Sequence, residues 1–118
     1  MPYKLAVKNI VIVPVKFSIK DGKAKAQSFA FTLSCERVEV SEMQAAIKDD
    51  DGIFKDEKIA KQMVKIATGW EGQDFVLEED GTPAAFSEEA FEVMLGVPSV
   101  LGIIFKSYMK ESTAVAKN

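Results

Sequence analysis

Val11, Val13, Val15, Phe17 and Ile19 alternate with Ile12, Pro14, Lys16, Ser18 and Lys20. Strand side chains point to opposite faces in turn, so this period of two predicts a half-buried strand. Asp21-Gly22 follows and suits a two-residue hairpin loop, whose central positions need positive φ. The return strand sets Phe29, Phe31, Leu33 and Cys35 on one face. With a two-residue loop, Ile19 pairs with Ala24 and Phe17 with Ala26, which puts Phe29 opposite Pro14 on the wrong face. One extra residue near Gln27-Ser28 restores the match, so a β-bulge is predicted there. Pro14 lacks an N–H and belongs on an edge strand or at an irregularity.

Beyond residue 38 the apolar spacing becomes helical. Ser41-Glu42-Met43-Gln44 has a capping-box pattern and opens a short helix to about Lys48. Asp49-Asp50-Asp51-Gly52 reads as a turn. Asp56 is placed to cap a second helix, with Ile59, Met63, Ile66, Ala67 and Trp70 on one face. Gly69 suits a left-handed residue at its end. Residues 70–85 are glycine-rich and acidic, with Phe75-Val76-Leu77 as a short candidate strand and a turn at Asp80-Gly81-Thr82-Pro83. Ser87 is expected to cap a third helix, with Glu88 and Glu89 favourably placed in its first turn. Ala90, Phe91, Met94 and Leu95 form its buried stripe, and Gly96 ends it. Pro98 fits the first turn of a fourth helix that carries Leu101, Ile104, Phe105 and Tyr108 on one face. The pattern predicts a single α+β domain over 1–118. An antiparallel β-hairpin or small sheet (1–37) precedes three to four packed helices (38–111) and a frayed tail (112–118).

Composition removes much chemistry. The chain has 118 residues, 47% of them hydrophobic and 28% charged, enough for one core without a staple. It has no histidine, so Ser-His and Cys-His pairs and histidine metal ligands are excluded. Cys35 is the single cysteine, and its place on an apolar strand face predicts a buried, inert thiol. A reducing, cytoplasmic setting is expected. No apolar run reaches the ~18 residues of a membrane span, and the N-terminus lacks a signal-peptide layout. A calcium loop with Gly52 sixth would start at Ile47 and end at Lys58, where a bidentate Glu is needed. Placing Gly81 sixth starts it at Val76 and ends it at Ser87. Gly69-Trp70-Glu71-Gly72 lacks the glycines and the Lys-Ser/Thr of a phosphate loop. No enzymatic activity, cofactor or metal is expected.

Charge adds an asymmetry. Residues 1–37 hold seven bases and two acids, a net +5, whereas 38–118 hold eight bases and sixteen acids, a net −8. Eight acids fall between Glu71 and Glu92 with no base among them. The pattern fits head-to-tail self-association into a homo-oligomer, with Lys20, Lys23 and Lys25 as basic contacts. Two solvated faces, or attraction within one chain, are the simpler and favoured reading. Nucleic-acid binding is not expected, because the lysines are spread along a hairpin whose aromatics face the core. The last helix is apolar around much of its girth, so it is either central to the core or docked on a partner. Ile104, Phe105, Tyr108 and Met109 are the candidate partner-binding residues.

The ordered set Gly69-Trp70-Glu71-Gly72, then Asp80-Gly81-Thr82-Pro83, then Phe86-Ser87 opening a helix to Leu95, then Val97-Pro98 before an aromatic-bearing helix, carries a resemblance. Over about residues 56–110 it resembles the tail assembly chaperones of long-tailed bacteriophages. The resemblance implies a small cytoplasmic protein that is absent from the finished virion. It would coat the tape measure protein and recruit tail-tube subunits. Gly69, Trp70, Gly72, Asp80, Gly81, Pro83, Phe86, Ser87, Leu95 and Pro98 would then be fold determinants, with no catalytic residue. A structural tail or head–tail completion protein is the alternative, and a small nucleic-acid-binding regulator a more distant one.

Overall fold

The structure, a computed structural model, describes residues 3, 6–20, 22 and 25–113. Its elements are β1 (Ile10–Lys20), β2 (Ala26–Glu36), α1 (Val40–Ile47), α2 (Asp56–Ile66), β3 (Ala67–Glu71), α3 (Glu88–Leu95) and α4 (Val100–Ser112). The three strands form one antiparallel sheet in the order β1-β2-β3, and the fold is α+β as expected.

β1 and β2 pair without interruption from Ile10↔Glu36 to Lys20↔Ala26. The inward residues therefore meet directly: Val13 faces Leu33, Val15 faces Phe31, and Phe17 faces Phe29. The predicted bulge at Gln27-Ser28 is absent, and so is the two-residue loop. Five residues, 21–25, connect the strands, so the parity is corrected in the loop rather than in the ladder. Asp21, the first half of the predicted turn, lies outside the described residues. Just beyond the strands, Arg37 N donates to Asn9 O at 2.9 Å. Hydrogen-bonded pairs alternate with non-bonded ones, so the odd residues of β1 bond β2 and the even ones direct their backbone outward. Pro14 belongs to the outward set of an edge strand, where its missing N–H costs no ladder bond.

The second helix ends earlier than its apolar spacing suggests. α2 stops at Ile66, and Ala67–Glu71 runs on as β3 beside β2. Gly69 is therefore a strand residue opposite Ser34, and its φ is not positive. Trp70 sits opposite Leu33. The sheet's irregularity falls here: Ser34 pairs with Gly69 but Cys35 with Ala67, leaving Thr68 as the extra residue. Thr68 Oγ1 donates to the Ser34 carbonyl at 3.2 Å.

Two helix starts also differ from expectation. α1 begins at Val40 with Glu39 as its N-cap, and α2 at Asp56 with Lys55 as its N-cap, neither with a side-chain cap bond. Ser41 and Asp56 thus lie within the first turns. Ser87 caps α3 as expected, its Oγ accepting from Ala90 N at 3.0 Å. Pro98 lies ahead of α4 rather than in its first turn. Ser99 follows it with φ 75°, and Val100 opens the helix.

The helices cover one face of the sheet. Val13, Val15, Leu33, Cys35, Met63, Phe91, Met94, Val100, Ile104 and Tyr108 form the centre of the core, all essentially inaccessible to solvent. Burying one such aliphatic side chain contributes about 1.5–3 kcal/mol. The molecule is elongated, 54 × 34 × 33 Å. Among the described residues no single helix is long and apolar enough to cross a membrane. No cluster of three or more metal-ligating side chains occurs among them either.

Candidate protein-binding surface

The segment from Trp70 to Phe91 is organised around one indole. Trp70 packs edge-on against Phe86 (5.3 Å between centroids), Phe91 (6.2 Å) and Phe31 (6.2 Å). Its Nε1 donates to the Ala84 carbonyl at 3.1 Å. Each aromatic pair adds about 0.5–1.5 kcal/mol beyond its burial. Gly72 (φ 77°) and Gly81 (φ 88°) take left-handed turns that side chains resist. Asp80 Oδ1 accepts from Thr82 N (3.0 Å) and Thr82 Oγ1 (2.6 Å), which holds its carboxyl below the usual carboxylate range. The candidate strand at 75–77 reduces to a single bridge, Leu77 with Pro83. Leu95 is buried on α3.

Gln73 was not anticipated. It is buried, and its amide is fully used: Nε2 donates to Val76 O and Ala84 O, and Oε1 accepts from Phe75 N and Val76 N. A lone Gln in an acidic, glycine-rich stretch reads as solvated loop. Only the approach of residue 84 makes its burial favourable, because every polar atom then finds a partner.

α4 is neither wholly core nor wholly free. Ile104 and Tyr108 are fully buried and pack into the core. Tyr108 Oη donates to the Glu36 carbonyl at 3.0 Å, and burial pushes its phenol pKa up. Phe105 and Met109 are half-buried. With Met43 and Ile47 of α1 and the Tyr108 ring they line a groove of about 320 Å³ between α1 and α4. Val40 and Phe54 stand at its lips, 70% and 55% exposed. No charged side chain lines it. Arg37 Nη1 donates to the Ser112 carbonyl at 3.0 Å and ties the C-terminal end of α4 to β2.

The Phe54 lip is held by the Asp49–Gly52 turn. Asp49 Oδ1 accepts from Asp51 N (2.9 Å) and Ile53 N (3.0 Å), and Gly52 has φ 78°. The Ile53 amide above all, with the Lys55 ammonium 3.5 Å away helping, lowers the Asp49 pKa. Lys48 Nζ lies 5.3 Å from the Phe54 ring centre.

The charged regions are placed on the surface. Lys16, Lys20 and Lys25 are exposed along the hairpin, while Lys23 lies outside the described residues. The eight acids from Glu71 to Glu92 are all exposed. Cys35 is buried, and its thiol pKa is pushed up to about 12, so it stays protonated and unreactive.

Compared with known proteins, the chain matches no family model, no curated sequence and no solved structure.

Proposed function

We propose that this chain is a cytoplasmic tail assembly chaperone of a long-tailed phage or prophage. In this proposal the α1/α4 groove holds amphipathic helices of the tape measure protein, while tail-tube subunits are recruited around them. The observation that carries it is the uncharged groove with exposed Val40 and Phe54 at its lips. It lies on a chain whose 56–110 region resembles such chaperones. Two methionines line the groove, and flexible thioethers adapt to many different apolar stripes. A long helical client offers repeated weak sites, and avidity across copies supplies the affinity. The basic hairpin and the acidic 71–92 region support a lining-up of copies along the client.

Co-expression with the tape measure protein of the same phage is the test. The wild-type chain is expected to keep the client soluble and to co-purify with it. Val40→Ser/Phe54→Ser is expected to fold but to release the client. Purified virions are expected to lack the chain. Its presence there would favour the structural tail or head–tail completion protein. Steeply salt-dependent DNA binding would favour a regulator.

A further inference from the structure

β1 is an edge strand of 11 residues. Its even positions turn their backbone groups away from β2, and among the described residues no other backbone group bonds them. Their side chains are exposed too, with Ile10 at 42% and Ile12 at 57%, then Lys16 and Lys20. A row of unpaired groups this long is a template for another strand. The side chains decide which strand fits. A second β1, antiparallel and related by a two-fold axis through Val15, sets Ile10 opposite Lys20, Ile12 opposite Ser18 and Pro14 opposite Lys16. Each lysine then faces an apolar residue that its alkyl stem can cover. The two Lys16 charges are only diagonal neighbours, ~7–8 Å apart at their bases, and splay into water. Moving the axis to Lys16 would set Lys16 directly against its own copy. Moving it to Pro14 would set Lys8 against Lys20, and two residues without an N–H against each other. The lysines and the proline, which guard the edge against pairing in general, thus leave one register open.

The helical layer leaves room for the same arrangement. α4 packs over β1, and Val11, Val13 and Val15 are buried. Its C-terminal end is tied to the Ile10 end of the strand, because Tyr108 bonds the carbonyl of Glu36 and Glu36 pairs with Ile10. From Tyr108 back to Val100 the helix rises ~12 Å, the length of three to four strand residues. α4 therefore covers the Ile10–Val15 half of β1 and stops short of Phe17, which packs on Phe29 and Phe75 instead. Ile19 and Phe29 stay half-buried there. A two-fold axis at Val15 keeps the two α4 helices on opposite halves of the joined strands, and brings the α4 of each copy beside the half that the other copy leaves without one.

We propose that the protein dimerises through β1, a second copy of this chain extending the sheet to the order β3-β2-β1-β1-β2-β3 about a two-fold axis at Val15. Each facing pair of even residues exchanges both backbone hydrogen bonds, except Pro14 with Lys16, which exchanges the one that the Lys16 N–H donates. The contact closes on itself and runs on backbone bonds and apolar cover. It is separate from a head-to-tail contact between the basic hairpin and the acidic 71–92 region, and it stands whichever assembly the protein serves.

The test is sedimentation of the full chain over a concentration series, with amide hydrogen exchange read at the same concentrations. A monomer–dimer equilibrium is expected. The amides of Ile12, Lys16 and Ser18 should gain protection as the dimer fills, because in the monomer they face water. Ser18→Pro removes one outward donor per copy and no bond of the β1–β2 ladder, so it should raise the dimer Kd more than about tenfold. Ile10→Lys sets a lysine against Lys20 of the second copy at both ends and should raise the Kd about tenfold. I10K/K20E should recover most of that loss, which only the register centred on Val15 allows. Raising salt from ~0.05 to ~0.5 M should leave the dimer as tight or tighter, since its closest charges are alike, whereas a head-to-tail charge contact would weaken. If Ser18→Pro does not fold, the Ile10→Lys variant and its rescue decide. A chain that stays monomeric to ~1 mM leaves this edge to a strand of another protein and overturns the proposal. A dimer whose Ile12, Lys16 and Ser18 amides exchange at the same rate at every concentration, or no rescue in I10K/K20E, would overturn it as well.

Discussion

The two grooves of the helical layer are similar in size and opposite in character. The one between α1 and α4 has an uncharged lining with exposed apolar lips. The one between α2 and α3 has a small apolar floor with Glu57 and Lys61 on one bank and Glu92 on the other. An uncharged groove gains affinity from apolar burial, which salt does not screen. A charged rim adds orientation and encounter rate, and loses both as ionic strength rises. One fold therefore carries an uncharged groove and a mixed-charge one, on separate pairs of helices.

The largest effect is expected where a groove wall is also core. Tyr108→Ala removes a fully buried ring and leaves the Glu36 carbonyl without its donor. About 3–5 kcal/mol of stability should be lost in urea unfolding, whereas Tyr108→Phe should cost about 1 kcal/mol. A cost below about 0.5 kcal/mol for the alanine variant would mean that the ring is a surface contact after all.

The lips should behave in the opposite way. Phe54→Ser and Val40→Ser are expected to shift stability by no more than about 0.5 kcal/mol each. Together they should weaken an amphipathic helix in the α1/α4 groove about tenfold, judging from the apolar area removed. Calorimetric titration at low and at high salt would show the same loss, if burial alone drives this contact.

A smaller effect links acidity to the first groove. The folded-state pKa of Asp49 is lowered, so its turn is fully stabilised above the ordinary carboxylate range. That contribution is lost as pH falls through the folded pKa. The amide of Ile53, next to Phe54, then loses its acceptor. Hydrogen exchange at Ile53 should therefore quicken on acidification relative to Ile47, and Asp49→Ala should show the fast rate at neutral pH. Asp80, lowered by its bonds to Thr82, should free the Thr82 amide over a similar range.

Much of the sheet was legible because side-chain direction in a strand is a local property. The alternation from Val11 to Phe17 and from Phe29 to Cys35 names the inward residues correctly. The register was not legible. It depends on a five-residue connection where Asp21-Gly22 suggested two, and strand parity alone does not distinguish a bulge from a longer loop. The same limit hid the α1/α4 groove. Spacing placed Ile104, Phe105, Tyr108 and Met109 together, but burial separates Ile104 and Tyr108 from the half-open Phe105 and Met109. The lips come from residues 40 and 54, and no periodicity connects them to α4.

By itself the sequence determined the α+β class, the apolar faces of β1, β2, α2 and α3, the Ser87 cap and the glycine turns at 52 and 81. Each follows from the period, cap or backbone freedom of a short segment. Only the tertiary structure decided that Ala67–Glu71 is a strand, that Gln73 is buried, and which side of α4 faces the core. Those outcomes depend on partners far along the chain: Leu33 for Trp70, Ala84 for Gln73, and Glu36 for Tyr108. A segment's own propensity is small beside the burial and hydrogen bonds that a distant partner supplies.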